Sequence, residues 1–308
     1  MKLIQFYEGS GLKVGFIEKK DQVLDVTYTA MGVKESKDIV VMAANENCTI
    51  QSVIDRIKKA KGNCTAYSYK AIFSGRDKNL KPALPIFPTE IWGCGVTYTN
   101  AALFRDEDYG KKHHEGNEDG FYARAHFADR PEIFYKGTVS RCAAPRENGG
   151  IRKDSKITLC EPELCLIVNG NKEVIGYTIG DDLSAWDLEC ENPLYNAQCK
   201  VFKGGVVLGP AITLKEAIKD PYNIEITCKI TRNGKVLYEG EANTSGLKRK
   251  YEELVDYVTR CQPKMDVVVI MTGTGMCIPL EAALQVGDIV EFHADEVGTL
   301  VHGCEEVE

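Results

Sequence analysis

Apolar and polar positions alternate along most of this chain, and the period changes in only a few places. Residues 2–6 and 13–18 read as two strands joined by Glu8-Gly-Ser-Gly11. Ile50, Val53, Ile54 and Ile57 then repeat at helical spacing behind Thr49, a residue suited to cap the helix. Residues 81–88 hold three prolines in eight positions and predict an extended linker. Beyond it the pattern is strand-rich. Residues 91–98 predict a strand entering a loop, and Ile133-Phe-Tyr135 is a short apolar run ending at Lys136. Residues 104–120 are polar and charged, contain His113 and His114, and predict a surface loop able to act as a lid. A helix is predicted over residues 248–261, with Tyr251, Leu254, Val255 and Val258 on one face. Residues 266–271 predict a buried strand running into Thr272-Gly-Thr-Gly275, and residues 287–293 and 297–302 a closing strand pair. The organisation expected is a small N-terminal α+β domain over 1–85 and a larger, mainly β domain over 86–308.

One strand carries chemistry. Residues 159–168 (LCEPELCLIV) place Glu161 and Glu163 two apart, on the same face, with Pro162 facing away. Asn169-Gly170 is a hairpin signal, so residues 174–183 should return antiparallel and bring an aspartate of Asp181-Asp182 near the two glutamates. Three clustered carboxylates repel unless a cation neutralises them, and all-oxygen ligation favours Mg²⁺, with Mn²⁺ or Ca²⁺ also possible. The alternative is a solvated acidic face.

Composition narrows the setting. At 308 residues the chain can bury a large core without disulfide staples. A net charge of −7 argues against general nucleic-acid binding. No apolar run approaches the roughly 18 residues of a membrane span. The opening residues are too short in apolar run and too soon acidic for a signal peptide, so a cytoplasmic location is expected. The 12 cysteines form no Cys-x-x-Cys pair and read as small buried hydrophobes in a reducing compartment. They also raise a different class of function, a redox-responsive binding protein.

Several segments, in order, resemble the fumarylacetoacetate hydrolase superfamily: Glu161-Pro-Glu163, Gly176-Tyr-Thr-Ile-Gly-Asp-Asp182, Lys200 ahead of Gly209-Pro210, Thr272-Gly-Thr-Gly275 and Val286-Gly-Asp-Ile-Val-Glu291. The resemblance spans residues 88–305. It implies an α+β, mainly β fold, with a β-roll catalytic domain behind a small N-terminal domain. It implies metal ligands Glu161, Glu163 and Asp182. The family lysine maps to Lys200, with Lys203 as the rival. Members are commonly dimers or tetramers, so a homo-oligomer is expected.

The C–C hydrolases of this superfamily carry a histidine shortly after the strand that ends here in Gly95-Val-Thr-Tyr98, and this chain has none in that stretch. His126, His293 and His302 show no partner in the sequence. Arg130-Pro-Glu-Ile-Phe-Tyr-Lys136 and residues 189–198 look instead like the branch that dehydrates 2-keto-3-deoxy sugar acids such as 2-keto-3-deoxy-D-arabinonate. By that resemblance Glu132 is an acid–base group, against the plainer reading of an ion pair with Arg130 or Lys136. The implied activity is a Mg²⁺-dependent elimination of water from a 2-keto acid through a metal-stabilised enolate. Lys200 and Glu132 share the proton chemistry, with the division between them open. Tyr98, Tyr195, Gln198 and Thr274 are expected to contact the substrate. The nearest alternative is a C–C hydrolase of 2,4-diketo acids.

Overall fold

The structure, a computed structural model, describes residues 1–113 and 120–308, without the side chains of residues 108, 109 and 111–113. Its backbone is a twelve-stranded mixed sheet facing a five-stranded one. At the centre of the large sheet lie Pro162–Asn169, Val174–Asp182 and Val206–Leu214, and nearly every residue of these three strands is buried. Strand alternation divides their side chains. Leu164, Leu166 and Val168 join the core shared with the second sheet, whereas Cys165 and Ile167 pack under the helices Ser36–Asn45 and Ile50–Lys61. The fold is mainly β with some α, as the pattern predicts.

The hairpin at Asn169 forms as expected. Its side-chain oxygen accepts from the N–H groups of Asn171 and Glu173, each at 3.0 Å, closing the turn locally. The register that follows sets Pro162 opposite Asp181 and Glu163 opposite Gly180. Thr49 caps its helix through Ser52 N–H at 3.1 Å.

Three segments differ from their sequence pattern. Residues 1–85 share a sheet and a core with the rest of the chain: the first strand, Lys2–Glu8, pairs with Val206–Leu214, and Leu3 and Phe16 sit in one cluster with Ile167 and Leu208. The proline-rich stretch is extended, but Ala83, Leu84 and Ile86 are buried, and Leu80–Pro82 adds to the first strand. The polar stretch expected to be a loop is helical from Thr99 through His113. Its inward face holds Ala101, Ala102, Arg105 and Asp106, two of them charged, so hydrophobic periodicity misses it. A second helix, Phe121–Phe127, docks on it because the Asp106 carboxylate accepts the N–H groups of Tyr122 and Ala123 at 2.8 and 2.7 Å. His114 lies outside the described residues, as does the His113 side chain.

Candidate functional site

A cavity of about 110 Å³ opens between the end of the large sheet and these two helices. Glu161, Glu163 and Asp182 form its floor, each offering one carboxylate oxygen, and these oxygens lie within 4.8 Å of one another. Glu163 and Asp182 are almost fully buried. The strand register explains which aspartate joins them, since alternation turns Asp182 into the cavity and Asp181 to the opposite face.

Cations surround the triad. Lys200 Nζ lies 2.6 Å from Glu161 Oε2, 3.2 Å from Asp182 Oδ2 and 2.5 Å from Ser184 Oγ. Lys136, without solvent exposure, reaches within 2.6 Å of Asp182 Oδ1 and donates to the carbonyls of Leu183 and Lys200 at 2.9 and 2.6 Å. Apart from this ion pair, the buried Asp182 Oδ1 has no hydrogen-bond partner, so it is open to a further ligand. Arg105 Nη2 stands 3.6 Å from Glu161 Oε1, with its guanidinium 4.7 Å over the Trp186 ring.

The carboxylates titrate apart. Burial disfavours the charge on Asp182, but Lys136 and Lys200 outweigh it and hold the group below its ordinary value. Glu163 is pushed well above the ordinary range by burial and then by Asp182 and Glu161. Burial also works against the Lys200 ammonium, yet Asp182, Glu161 and Glu189 prevail and hold its pKa well above that of a free lysine. Hard oxygen donors, one of them open and one short of charge compensation, fit a divalent cation at this triad.

One wall is built for close approach. Gly273 adopts φ of 90°, and a Cβ there would sit 2.0 Å from Thr97 Oγ1. Its N–H donates to Glu163 Oε2 at 2.7 Å, and Thr274 beside it lines the cavity. Val96, β-branched with φ of 45°, holds a strained turn at the cavity edge. On the opposite wall, the strand Glu132–Gly137 points Glu132 and Phe134 into the cavity and sends Lys136, two residues on, beneath it. Glu132 is exposed by area, although protein fills most of the space around it. The crowding governs its chemistry because the group lines the cavity. That crowding, then the Glu189 charge, raises its pKa above the usual carboxylate value. Glu189 accepts from Tyr122 Oη at 2.9 Å and from Cys199 Sγ at 3.3 Å.

The structure thus gathers Glu132, Glu161, Glu163, Asp182, Lys200 and Thr274 around one cavity. Lys203 is exposed on another face. Tyr98, Tyr195 and Gln198 do not line the cavity. Tyr98 is buried in a bridge to Leu247, Tyr195 is partly exposed, and the Gln198 carbonyl accepts from Arg152. Neither Arg130 nor Lys136 pairs with Glu132 among the described residues. Arg130 packs over Tyr257, and Lys136 serves Asp182. Sequence reading missed Arg105, Tyr122 and Glu189 as cavity residues and Lys136 as a support; strand parity from Glu132 was the available signal for Lys136.

The histidines have partners the sequence does not show. His126 contacts Thr99 Oγ1 at 2.9 Å and the Val96 carbonyl at 2.6 Å. His293 contacts Thr299 and Asp295, and His302 contacts Asp181. No described histidine lines the cavity. Most cysteines are buried and none forms a disulfide among the described residues, and burial raises the pKa of thiols such as Cys94 and Cys165 well above the ordinary value, which disfavours the reactive thiolate. No helix among the described residues is long and apolar enough to cross a membrane.

Known proteins resemble this chain in sequence and fold. The family described as Fumarylacetoacetate (FAA) hydrolase C-terminal matches residues 113–304. A 2-dehydro-3-deoxy-D-arabinonate dehydratase of Saccharolobus solfataricus is 38% identical over 239 residues, 77% of this chain and 79% of that protein. A probable 2-keto-3-deoxyxylonate dehydratase of Haloferax volcanii is 37% identical over 217 residues, 70% of this chain and 72% of that one. The solved structure of a 2-keto-3-deoxy-D-arabinonate dehydratase complexed with magnesium and 2,5-dioxopentanoate superposes over all of both chains, with a TM-score of 0.81 and 29% identity.

Proposed function

This chain belongs to the fumarylacetoacetate hydrolase family, and from that premise we propose that it is a divalent-metal-dependent hydro-lyase removing water from a 2-keto-3-deoxy sugar acid such as 2-keto-3-deoxy-D-arabinonate. The observation that carries this reading is the cavity itself, in which a three-carboxylate floor, a lysine and a crowded glutamate meet with no described histidine on the wall. C–C hydrolysis needs an activated water, and among the described residues the wall offers no imidazole to activate one.

Glu161, Glu163 and Asp182 would hold the ion, which we assign as Mg²⁺ from the magnesium complex of the dehydratase relative. A divalent ion bound there supplies Lewis-acid polarisation of a keto acid. Lys200, charged and directed at the triad, donates to the negative charge that develops on the substrate's C2 oxygen as C3 loses its proton. A lysine held in that state is a donor and not the base. Glu132 is then the group left to take the C3 proton. Protonated, it returns that proton to the departing C4 hydroxyl, so one water leaves. The unsaturated keto acid that remains tautomerises to an aldehyde. Arg105 supplies charge, and the Thr274 hydroxyl a hydrogen bond, for a carboxylate. Glu189, Tyr122 and Asn196 offer hydrogen-bonding groups to the sugar hydroxyls.

We also place the protein in the cytoplasm as a homodimer or homotetramer. Buried free thiols suit a reducing compartment. Leu103, Phe127 and Leu194, 55%, 63% and 88% exposed on segments around the cavity, support self-association. Light scattering on the purified protein checks its mass. The test of function is incubation of purified protein and Mg²⁺ with 2-keto-3-deoxy-D-arabinonate and, separately, with an acylpyruvate. Aldehyde formation from the first and no cleavage of the second is expected. The reverse result would move the protein to the C–C hydrolases.

A further inference from the structure

We propose that Asp181 and His302 are positioning residues for Glu161, fixing its backbone and anchoring it to the second sheet. The inference rests on the reading of Glu161 as a metal ligand.

Glu161 stands just outside the strand that carries Glu163, because that strand begins at Pro162, which has no N–H. Its own N–H and carbonyl lie at the end of that strand's ladder and need partners from the facing strand. The Asp181-Asp182 step supplies both. Asp181 Oδ1 accepts the Glu161 N–H at 2.8 Å, and the Asp182 N–H donates to the Glu161 carbonyl at 3.0 Å. A side-chain carboxylate thus replaces a rung of the sheet at the residue that must present a ligand oxygen.

The other oxygen, Asp181 Oδ2, lies 2.9 Å from His302 Nε2, and both side chains have no solvent exposure. His302 Nδ1 faces the Gly303 carbonyl at 2.8 Å, so Nδ1 carries a hydrogen and the ring plane is fixed. His302 belongs to Gly298–Val307 of the five-stranded sheet, whereas Asp181 belongs to the twelve-stranded one. The pair therefore ties the two sheets together directly behind the triad. Neither residue lines the cavity, so neither reaches substrate. Their action runs through Glu161, as outer partners of metal ligands act.

Mn²⁺ binding, read by electron paramagnetic resonance alongside thermal melting and kcat, tests this on the full chain. Asp181→Ala should weaken Mn²⁺ binding by about 10- to 100-fold, and saturating Mn²⁺ should restore most of kcat. Asp181→Asn should bind nearly as wild type, since its carbonyl can accept from Glu161 N–H while its amide donates to His302 Nε2. His302→Leu cuts the link from the other sheet and should weaken binding by about tenfold, which decides the matter if Asp181→Ala does not fold. Wild-type affinity in folded Asp181→Ala or His302→Leu would overturn the proposal and leave a purely structural pair. Equal losses in Asp181→Asn and Asp181→Ala would overturn it too, by pointing to charge in place of hydrogen-bond placement. Glu161→Ala is the control: if it binds Mn²⁺ normally, the triad assignment itself fails.

Discussion

The Lys136 ammonium sits 2.6 Å from Asp182 Oδ1, and neither side chain has meaningful contact with water. Removing one partner of such a pair leaves an uncompensated buried charge, at a cost of about 3–5 kcal/mol. Lys136 also binds the carbonyls of Leu183 and Lys200, so its loss loosens the segment that aims Lys200. Lys136→Met should therefore destabilise the metal-free protein by roughly that amount. Mg²⁺ should recover part of the loss, because a divalent ion supplies charge to Asp182. Denaturant melts with and without Mg²⁺ measure both. A variant as stable as wild type in chelator would show that the pair is energetically neutral.

Lys200 and Lys203 make a paired test. Lys200 touches two triad carboxylates, whereas Lys203 lies exposed elsewhere. Lys200→Ala should lower kcat by about 10²–10³-fold with a smaller change in KM, since in the proposed mechanism the ammonium acts mainly on charge that develops during the reaction. Lys203→Ala should behave as wild type. Similar, modest losses in both would mean that neither ammonium serves the chemistry.

Much of this was legible in the chain for a physical reason. Strand parity is rigid, so Glu161 and Glu163 had to share a face, and the Asn169-Gly170 turn had to return an aspartate to them. Which aspartate returns depends on register, which the triad geometry exposes and the spacing alone leaves open. The helix Thr99–His113 was not legible, because its buried face carries Arg105 and Asp106, held by site contacts and a helix cap in place of a hydrophobic stripe. The cavity wall contributed by Tyr122 and Glu189 follows from that docking and was hidden with it. Tyr98 was expected at the substrate, but its ring is packed against Gly275 and Gly246, a tertiary fact that no local pattern carries.

Substrate contacts should divide along the same line. Thr274 lines the cavity beside Gly273, so Thr274→Ala should raise KM by roughly 5- to 30-fold, the worth of one or two buried hydrogen bonds. Tyr195→Phe and Gln198→Ala change groups off the cavity wall and should leave KM near wild type. Steady-state kinetics on the 2-keto-3-deoxy acid settle each. A large KM effect at Gln198 would require Asn196–Lys200 to move on binding.

Glu132 sets the expected pH dependence. Crowding by protein and then the Glu189 charge raise its pKa above the ordinary carboxylate value. In its proposed role as base it works ionised, so kcat/KM should be full above this raised pKa and fall as pH drops through it. Glu189→Gln keeps an oxygen for Tyr122 but removes the neighbouring negative charge, so Glu132 ionises more easily and its pKa falls. The acid limb of the profile should then move to lower pH. Because Glu132 retains contact with solvent, added salt should screen Glu189 and shift the wild-type limb the same way, by less. Glu132→Gln should lose the limb altogether together with about 10²-fold or more of kcat. An acid limb that stays put in Glu189→Gln, or survives in Glu132→Gln, would assign the proton transfer to another group.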